Sequence, residues 1–227
     1  YVLYTASGGA SLRRRNDWWC KAQLALTAET VTLFAAESTT QIRDQFEFED
    51  VGLVCADPGS DTYADYRCDY EIWDCENGLF LYLVCNEKSK VFSNDAVRQA
   101  LTHAIDRDAI VENFYRGFAR SAALPASPAS PWYDATLAQR YGYDSLAFTT
   151  ALTDANMQGE PITLLLNSDD SLRLRVGRSI GKTLTEAGLE VTVLELTTAK
   201  FVEHLRWGEY DLYLGQTRLS ANMDLSA

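Results

Sequence analysis

The sequence predicts an α/β fold, in which a mixed and largely crossover-connected sheet is flanked by helices. Three observations support this prediction. Strand-like and helix-like segments alternate through the last third of the chain, residues 97–105 form an amphipathic helix pattern, and 47% of the 227 residues are hydrophobic. A chain with these properties can bury a substantial core. We expect residues 1–227 to form a single domain.

One β-α-β unit is predicted in the N-terminal part. The apolar segment 31–36 is typical of a strand, residues 37–46 of a helix, and residues 50–55 of a second short strand. Residues 57–60, Asp-Pro-Gly-Ser, have the chemistry of a turn. This order favours neighbouring parallel strands joined by a crossover helix.

A strand pair followed by two helices is predicted in the middle of the chain. The strands cover residues 66–73 and 79–86. Four apolar residues then recur at helical spacing and predict the buried face of one helix: Val97, Leu101, Ala104 and Ile105. Either Ser93 or Asn94 is available as its N-cap, and Asp106 can cap a second helix on a new axis.

Alternation is clearest in the C-terminal third. Strands are predicted at residues 162–166, 189–196 and 210–214, and helices at residues 172–187 and 198–207. Gly188 is expected to end the first of these helices. In the second helix, Phe201, Val202 and Leu205 are expected to face inward.

The charge of the chain disfavours nucleic acid as a partner. The formal net charge is −12, and the one basic cluster is Arg13-Arg14-Arg15, which we expect to form a solvated turn. No apolar run is long enough to cross a bilayer. The first residues lack the pattern of a signal peptide, so if the protein is exported we expect its signal outside these residues.

Five cysteines are present, an odd number without the spacing of a disulfide framework: Cys20, Cys55, Cys68, Cys75 and Cys85. Cys55 and Cys85 lie in apolar, strand-like runs, and we expect most of the five thiols to be reduced and buried. There is no C-x-x-C motif, and the two histidines lie on separate helix patterns. We therefore expect no metal and no cofactor.

Three patterns suggest other functions, and each has a simpler interpretation. Residues 177–183 imitate a phosphate-binding loop, but Val176 occupies a required glycine position and the segment has a helix pattern. Three prolines at every third position, Pro125, Pro128 and Pro131, could present a polyproline ligand, although a stiff loop is favoured.

Paired carboxylates are the third pattern: Asp69, Glu71, Asp74 and Glu76 in one segment, and Asp169 and Asp170 in another. Such a pair would catalyse hydrolysis only if burial separated the two pKa values, and these acids lie in polar, turn-like surroundings. A solvated face is favoured. Because no established catalytic motif is present either, we expect no enzyme.

One segment resembles a family signature. Residues 97–111, Val-Arg-Gln-Ala-Leu followed by Ala-Ile-Asp-Arg and Ile-Val, are similar to the signature of the extracellular solute-binding proteins of family 5. Gly117, a Pro-rich loop at residues 118–134, and the strand-like segments 81–86 and 210–214 extend the resemblance. It implies lobe II of a periplasmic-binding-protein-like type II fold. We expect the chain to be that lobe, cut at both hinge connections.

The resemblance also implies a function. Such a protein is the substrate-binding component of an ABC importer and binds a peptide or similar small solute in an interlobe cleft that closes about a hinge. The implied partners are the solute, the ABC permease subunits in the membrane, and the missing lobe I. The implied location is extracellular, as a cell-surface lipoprotein or in the periplasm. The alternative is a surface interaction module, an adhesin or scaffold, because fold does not fix function.

The resemblance places candidate ligand-binding residues just beyond strand ends and on the Pro-rich loop. They are Gln216, Thr217, Arg218, Ser220, Asn222, Trp132 and Tyr133. Arg218 could pair with a peptide carboxylate through two parallel hydrogen bonds. A plain surface or hinge role remains open for each of these residues.

Overall fold

The computed structural model describes residues 1–6, 9–23, 27–48, 51–56, 63–66, 70–74 and 76–220. The chain divides into two compact units, Tyr1–Tyr70 and Glu71–Ala227. Within the described ranges, no helix has both the length and the apolar character needed to cross a membrane.

The first unit contains a three-stranded antiparallel sheet and one α-helix. Its strands, in spatial order, are β1 (Val2–Ala6), β2 (Gly9–Arg13) and β3 (Thr30–Leu33). Helix α1 (Thr39–Glu47) begins after Ser38, whose hydroxyl accepts a hydrogen bond from the backbone N–H of Gln41 at 3.1 Å. A short 3₁₀ helix follows at Tyr63–Asp65.

Few apolar side chains are buried in this unit. The ring of Phe46 packs edge-on against Tyr70, at a centroid distance of 4.6 Å, and against Tyr66 at 6.0 Å. Among its described residues, Cys20 is the one apolar side chain that is fully buried, with 7% of its surface exposed. The unit therefore gains little free energy from apolar burial.

The β-α-β prediction for this unit is partly wrong. The helix is confirmed, and β3 matches the first half of the predicted strand at 31–36. However, residues 51–56 form no strand, and β3 pairs antiparallel with β2. A short apolar run has the same pattern in a loop as in a strand, which explains the error. The turn predicted at residues 57–60 lies outside the described residues.

The basic cluster also differs from expectation, because Arg13 ends β2 and the cluster forms no turn. Arg15 pairs with Asp17 at 2.8 Å, and Arg14 lies 3.7 Å from Glu29. The Arg15 guanidinium lowers the pKa of Asp17 to about 2, chiefly through the hydrogen bond between the two side chains. Arg14 and Arg15 therefore form ion pairs with nearby carboxylates.

The second unit contains a mixed four-stranded sheet. Its strands are β4 (Leu79–Cys85), β5 (Pro161–Asn167), β6 (Glu190–Leu196) and β7 (Leu212–Arg218). The spatial order is β4-β7-β5-β6, with β5 parallel to both β6 and β7, and β4 antiparallel to β7. The predicted mixed, crossover-connected sheet is confirmed. The predicted pairing of segments 66–73 and 79–86 is wrong, because 79–85 pairs with β7 and the described residues among 66–73 form no strand.

Six helices belong to the described part of this unit: α2 (Asp95–Ala104), α3 (Arg107–Tyr115), α4 (Ala135–Gln139), α5 (Ser145–Asp154), α6 (Ser171–Glu186) and α7 (Thr198–Trp207). Asn94 is the N-cap of α2, and its side-chain oxygen accepts from the backbone N–H of Ala96 at 2.9 Å. Asp106 caps α3 in the same way, through Ala109. The predicted break between two helices is thus confirmed.

The core lies between one face of this sheet and helices α2, α5 and α6. Its fully buried residues include Val97, Leu101, Ala104, Phe148, Leu152, Leu164, Leu166, Val176, Leu184 and Leu212. Ile105, predicted to be buried, is half-buried and packs against this cluster. In α7, Phe201 is buried as expected, but Val202 is 39% exposed, because it lies one position off the narrow stripe that contacts the sheet.

Gly188 ends α6 in the predicted manner, with φ at +110°. The cysteine prediction is wrong for one residue. Cys20 is buried and Cys85 is half-buried, but Cys55 is exposed, because its segment is not part of a sheet. These three cysteines are free thiols, whereas Cys68 and Cys75 lie outside the described residues.

Candidate functional site

The parallel strands of the second unit end at one edge of the sheet, which we call the carboxyl edge. Strands β5 and β6 end there at Asn167 and Leu196, which are paired, and β7 ends there at Arg218. Strand β4 begins at the same edge with Leu79, opposite Arg218. In α/β sheets, ligands bind outside the carboxyl ends of the strands. The carboxyl edge is therefore the candidate site.

Three of the predicted site residues lie on β7 and extend past its neighbour. Leu165 of β5 is opposite Tyr213, so Asn167 is level with Gly215, and residues 216–218 lie beyond the end of β5. The prediction that Gln216, Thr217 and Arg218 follow the last strand is wrong, since β7 includes them and pairs them with β4. The strand continues because the backbone of β4 supplies hydrogen-bond partners, which the polar side chains of this segment did not indicate.

Side chains alternate along this protruding end of β7. Gln216 and Arg218 are exposed, while Thr217 between them is half-buried. Gly78, with φ at +68°, precedes β4, and a Cβ at this position would lie 3.7 Å from Cγ of Arg218. The Leu219 N–H donates to the carbonyl of Gly78 at 2.7 Å. In the described part of the chain, the Arg218 guanidinium makes no hydrogen bond or ion pair, so its donors are open to a ligand.

A polar cluster joins the end of β5 to the start of α7. Asn167, which is 7% exposed, donates from Nδ2 to Oγ1 of Thr198 at 2.9 Å. The Asp169 carboxylate accepts from the backbone N–H of Thr198 at 2.8 Å and from its hydroxyl at 2.7 Å. These hydrogen bonds lower the pKa of Asp169. Asp169 thereby caps α7, whose own N-cap residue, Thr197, makes no side-chain cap.

A second cap holds the start of α6. Asp170 accepts from the backbone N–H of Arg173 at 2.9 Å. The Nε atom of Arg173 is 3.7 Å from the other Asp170 oxygen, and the Arg173 side chain is only 17% exposed. This Nε atom is buried and has no hydrogen-bond partner among the described residues. The sequence analysis did not single out Arg173. An arginine in the first turn of a helix, just after an acidic N-cap, is a pattern that could have identified it.

The Pro-rich loop, residues 118–134, forms an ordered turn. Ser127 and Ser130 are buried, and the N–H of Ser130 donates to the carbonyl of Ser127 at 2.8 Å. The Tyr133 hydroxyl accepts from the N–H of Ala123 at 3.2 Å, whereas the Trp132 side chain is 76% exposed. That this loop is stiff stays a prediction.

The structure brings together only part of the predicted site. Gln216, Thr217 and Arg218 are consecutive, but in the described chain no hydrogen bond or ring contact joins Trp132 or Tyr133 to them. Ser220 is half-buried, and Asn222 lies outside the described residues. The site residues remain predictions.

The residues of the two acidic segments that the structure describes are exposed, except Asp170, which is half-buried, so the solvated face favoured by the sequence agrees with the structure. Several of these carboxylates also have polar partners. Glu76 pairs with Arg120 at 2.9 Å, and Glu71 accepts from the indole N–H of Trp73 at 2.7 Å. Asp169 and Asp170 cap helices, as described above, and Asp69 is outside the described residues. These partners hold the carboxylates in polar hydrogen bonds.

Comparison with known proteins gives one family match. The model of the family described as bacterial extracellular solute-binding proteins, family 5 Middle, matches residues 1–225. Among curated proteins, the oligopeptide-binding protein AppA of Bacillus subtilis is 27% identical over 146 residues, which covers 58% of this chain and 27% of that protein.

Solved structures share the fold. The ABC transporter substrate-binding protein CtaP from Listeria monocytogenes has a TM-score of 0.79 and 15% identity, covering 94% of this chain and 44% of that chain. The periplasmic binding protein DppA from Helicobacter pylori, solved with the peptide STSA, has a TM-score of 0.60 and 18% identity. The match covers 98% of this chain and 43% of that chain. The present chain spans less than half the length of each of these relatives.

Proposed function

Because the chain belongs to the bacterial extracellular solute-binding proteins of family 5, we propose that it forms one lobe of the substrate-binding component of an ABC importer. The receptor binds a peptide or similar small solute between two lobes and closes about a hinge. The match over residues 1–225 is the observation that carries this proposal. The name of the Bacillus subtilis relative, an oligopeptide-binding protein, and the peptide bound to the Helicobacter pylori protein support a peptide as the solute.

The carboxyl edge of the sheet is the surface that this lobe presents to the solute. Gln216 and Arg218 are exposed on the part of β7 that extends past β5, and neither side chain is engaged by the described residues. Closure of the second lobe removes water from around these groups, which strengthens hydrogen bonds to the solute. Trp132 and Tyr133 on the Pro-rich loop, with Thr217, Ser220 and Asn222, complete the proposed contacts.

No bond of the solute is made or broken in this proposal, so the protein is not an enzyme. The closed form is recognised by the ABC permease subunits, and lobe I supplies the other half of the cleft. The receptor acts outside the cytoplasmic membrane, as a lipoprotein or in the periplasm. The name of the family, which describes extracellular proteins, supports this location.

Arg218→Ala tests the proposal in the two-lobed receptor. We expect this change to weaken binding of tri-alanine by about 1.5 to 3 kcal/mol, because a charge-assisted hydrogen bond to the peptide carboxylate is lost. Isothermal titration calorimetry with tri-alanine and with its C-terminal amide measures the effect. The amide lacks the carboxylate, so its affinity should change little.

Arg206→Ala is the matched control, since Arg206 is an exposed arginine in the last turn of α7, away from the carboxyl edge. Equal losses of affinity in both variants, or an unchanged affinity in Arg218→Ala, would place the site elsewhere.

The present chain alone should bind tri-alanine no more tightly than ~1 mM, because one open face cannot exclude water.

A further inference from the structure

An open cavity of about 590 Å³ lies at the edge of the four-stranded sheet that is opposite the carboxyl edge. Its wall combines residues that follow β4 with residues that precede β7, and the last turn of α7 forms one side. The strands between the two edges are seven residues long, so the cavity is roughly 20 Å from the proposed solute contacts. It is therefore a separate site.

The side-chain acceptors of this wall are already used within the protein. The Asp211 carboxylate accepts from the Ser89 hydroxyl and, at 2.7 Å, from the backbone N–H of Thr163. The side-chain oxygen of Asn86 accepts from the backbone N–H of Lys88 at 3.0 Å. Because each of these oxygens already has a donor, the wall offers few acceptors to a ligand.

Three donors on the same wall have no partner in the described part of the chain. They are the Lys88 ammonium, the Arg206 guanidinium and the indole N–H of Trp207. All three side chains are exposed, and Trp207 is 75% exposed, so a ligand can reach them. Lys90 shows the contrast, because its ammonium binds Glu160 at 2.6 Å. The free donors border the cavity from two sides, the segment after β4 and the end of α7.

The charge of the lining side chains favours an anion. Lys88 and Arg206 carry two positive charges, and Asp211 carries one negative charge. The end of α7 adds roughly half a negative charge. This charge is reduced because the N–H groups of Gly208 and Glu209 donate to carbonyls of the last turn. The wall therefore keeps a positive charge, although the formal net charge of the chain is −12.

We propose that this cavity binds a phosphate group, carried either by a small soluble molecule or by a lipid headgroup. Arginine and lysine both bind phosphate oxygens, and the indole N–H of Trp207 supplies a third donor. A terminal phosphate carries about 1.5 to 2 negative charges near pH 7, so it can pair with Lys88 and Arg206 together. Its tetrahedral oxygens can accept from donors on two sides of the cavity at once. Tryptophan is also enriched at lipid–water interfaces, which makes a headgroup a source to be tested.

NMR titration of the 227-residue chain with inorganic phosphate, at pH 7 and constant ionic strength, tests the proposal. Each of the five tryptophans contributes one indole N–H signal, and Trp207→Phe identifies the signal of Trp207. Phosphate should shift this signal, and chloride should not. Lys88→Gln and Arg206→Gln should each weaken phosphate binding at least ~5-fold, because each removes a charge-assisted hydrogen bond. Absence of a phosphate-dependent shift at Trp207 would overturn the proposal.

Lys200→Gln is the matched control, because Lys200 is an exposed lysine in the first turn of α7, away from the cavity. It should change the affinity for phosphate less than ~2-fold, since its charge acts only through screened solvent. Lys88, Arg206 and Lys200 are all exposed, so the three glutamine variants should keep the melting temperature of the unmodified chain. An equal loss of affinity in Lys200→Gln would mean a general attraction between charges and would refute a defined site.

Cosedimentation with vesicles distinguishes the two sources of phosphate. Vesicles of phosphatidylcholine alone are compared with vesicles that also contain phosphatidic acid. Binding that requires phosphatidic acid and is lost in Arg206→Gln identifies a lipid headgroup as the source. A shift at Trp207 with soluble phosphate, without vesicle binding, identifies a soluble molecule. Vesicle binding that Arg206→Gln does not change, with no shift at Trp207, would refute the proposal.

This site and the proposed function can fail independently, because they lie at opposite edges of the sheet. In the two-lobed receptor, removal of the Arg206 guanidinium should weaken phosphate binding and leave tri-alanine binding at the carboxyl edge unchanged. If the receptor binds no peptide while phosphate shifts the Trp207 signal, the phosphate site stands and the peptide receptor does not. If peptide binds and phosphate has no effect at Trp207, the receptor stands and the phosphate site does not.

Discussion

At the level of single residues, polar side chains near the carboxyl edge form their hydrogen bonds with residues that are distant in sequence. Asp169 is held by Thr198, and Asn167 donates to the same threonine. The sequence indicated that both aspartates lie after a strand, but not that one of them caps a helix which begins after the next strand. Such a cap depends on the crossover between parallel strands, so it could not be read from local patterns.

The reactivity of the cysteines is a prediction at this scale. Burial raises the pKa of the Cys85 thiol to about 11. Because the thiolate is the reactive form, a thiol with this pKa is ionised to less than ~1% at pH 8. Cys20 is buried, and Cys55 is exposed. We expect Ellman's reagent to label Cys55 quickly at pH 8 and to label Cys20 and Cys85 only after denaturation.

Peptide mapping by mass spectrometry assigns the labelled cysteine in each phase, and Cys55→Ser is the control that removes one rapid equivalent. Raising the pH toward 11 should speed the labelling of Cys85 as its thiolate fraction grows. Rapid labelling of Cys85 at pH 8 in the folded chain would contradict the burial of this thiol.

At the level of elements, the helix predictions are confirmed where both the cap and the apolar face lie within one short stretch of sequence. Helices α2 and α3 have their caps and their apolar faces within a few residues of sequence, and both were predicted, as were α6 and α7. Two strand predictions were wrong: the described residues among 50–55 form no strand, and the last strand continues beyond residue 214. Both errors arise because a strand exists only where a neighbouring strand pairs with it. For β7 that neighbour is β4, more than a hundred residues earlier.

The two glycines of helix α6 have a packing role. Its Gly-rich segment, residues 177–183, is similar to a phosphate-binding loop but lies within the helix, as predicted. A Cβ at Gly177 would lie 2.3 Å from Cδ2 of Leu166, and one at Gly181 would lie 2.9 Å from Cγ2 of Val193. The two glycines therefore let the helix approach β5 and β6 closely.

Gly177→Ala tests this packing. Overpacking against the buried Leu166 should cost ~1 to 3 kcal/mol, and the higher helix propensity of alanine returns up to ~1 kcal/mol. We expect a net destabilisation of about 1 to 2 kcal/mol, measured by urea unfolding. Gly181→Ala is the comparison, and it should cost less because its nearest contact is longer. A gain in stability for Gly177→Ala would show that the approach of helix and sheet is looser than described.

At the level of the whole molecule, the resemblance gave the family and the fold class correctly, and composition and periodicity alone gave the α/β class. The division into two units, Tyr1–Tyr70 and Glu71–Ala227, was not foreseen. The apolar content of the two parts of the sequence looks alike, whereas burial does not: the core cluster lies entirely in the second unit. Burial depends on which faces meet, and periodicity does not report that. That residues 1–227 form a single domain stays a prediction.

Hydrogen exchange can decide how these units open, with β2 and β5 as a matched pair. Each is an inner strand that has a neighbouring strand on both sides. They differ in burial, since β2 has no fully buried residue, whereas five of the seven residues of β5 are buried. Because opening a unit exposes its buried apolar surface, the slowest amides of β5 should exchange at least ~100-fold more slowly than those of β2. Equal protection factors would instead mean that the two units open together, as a single cooperative domain would.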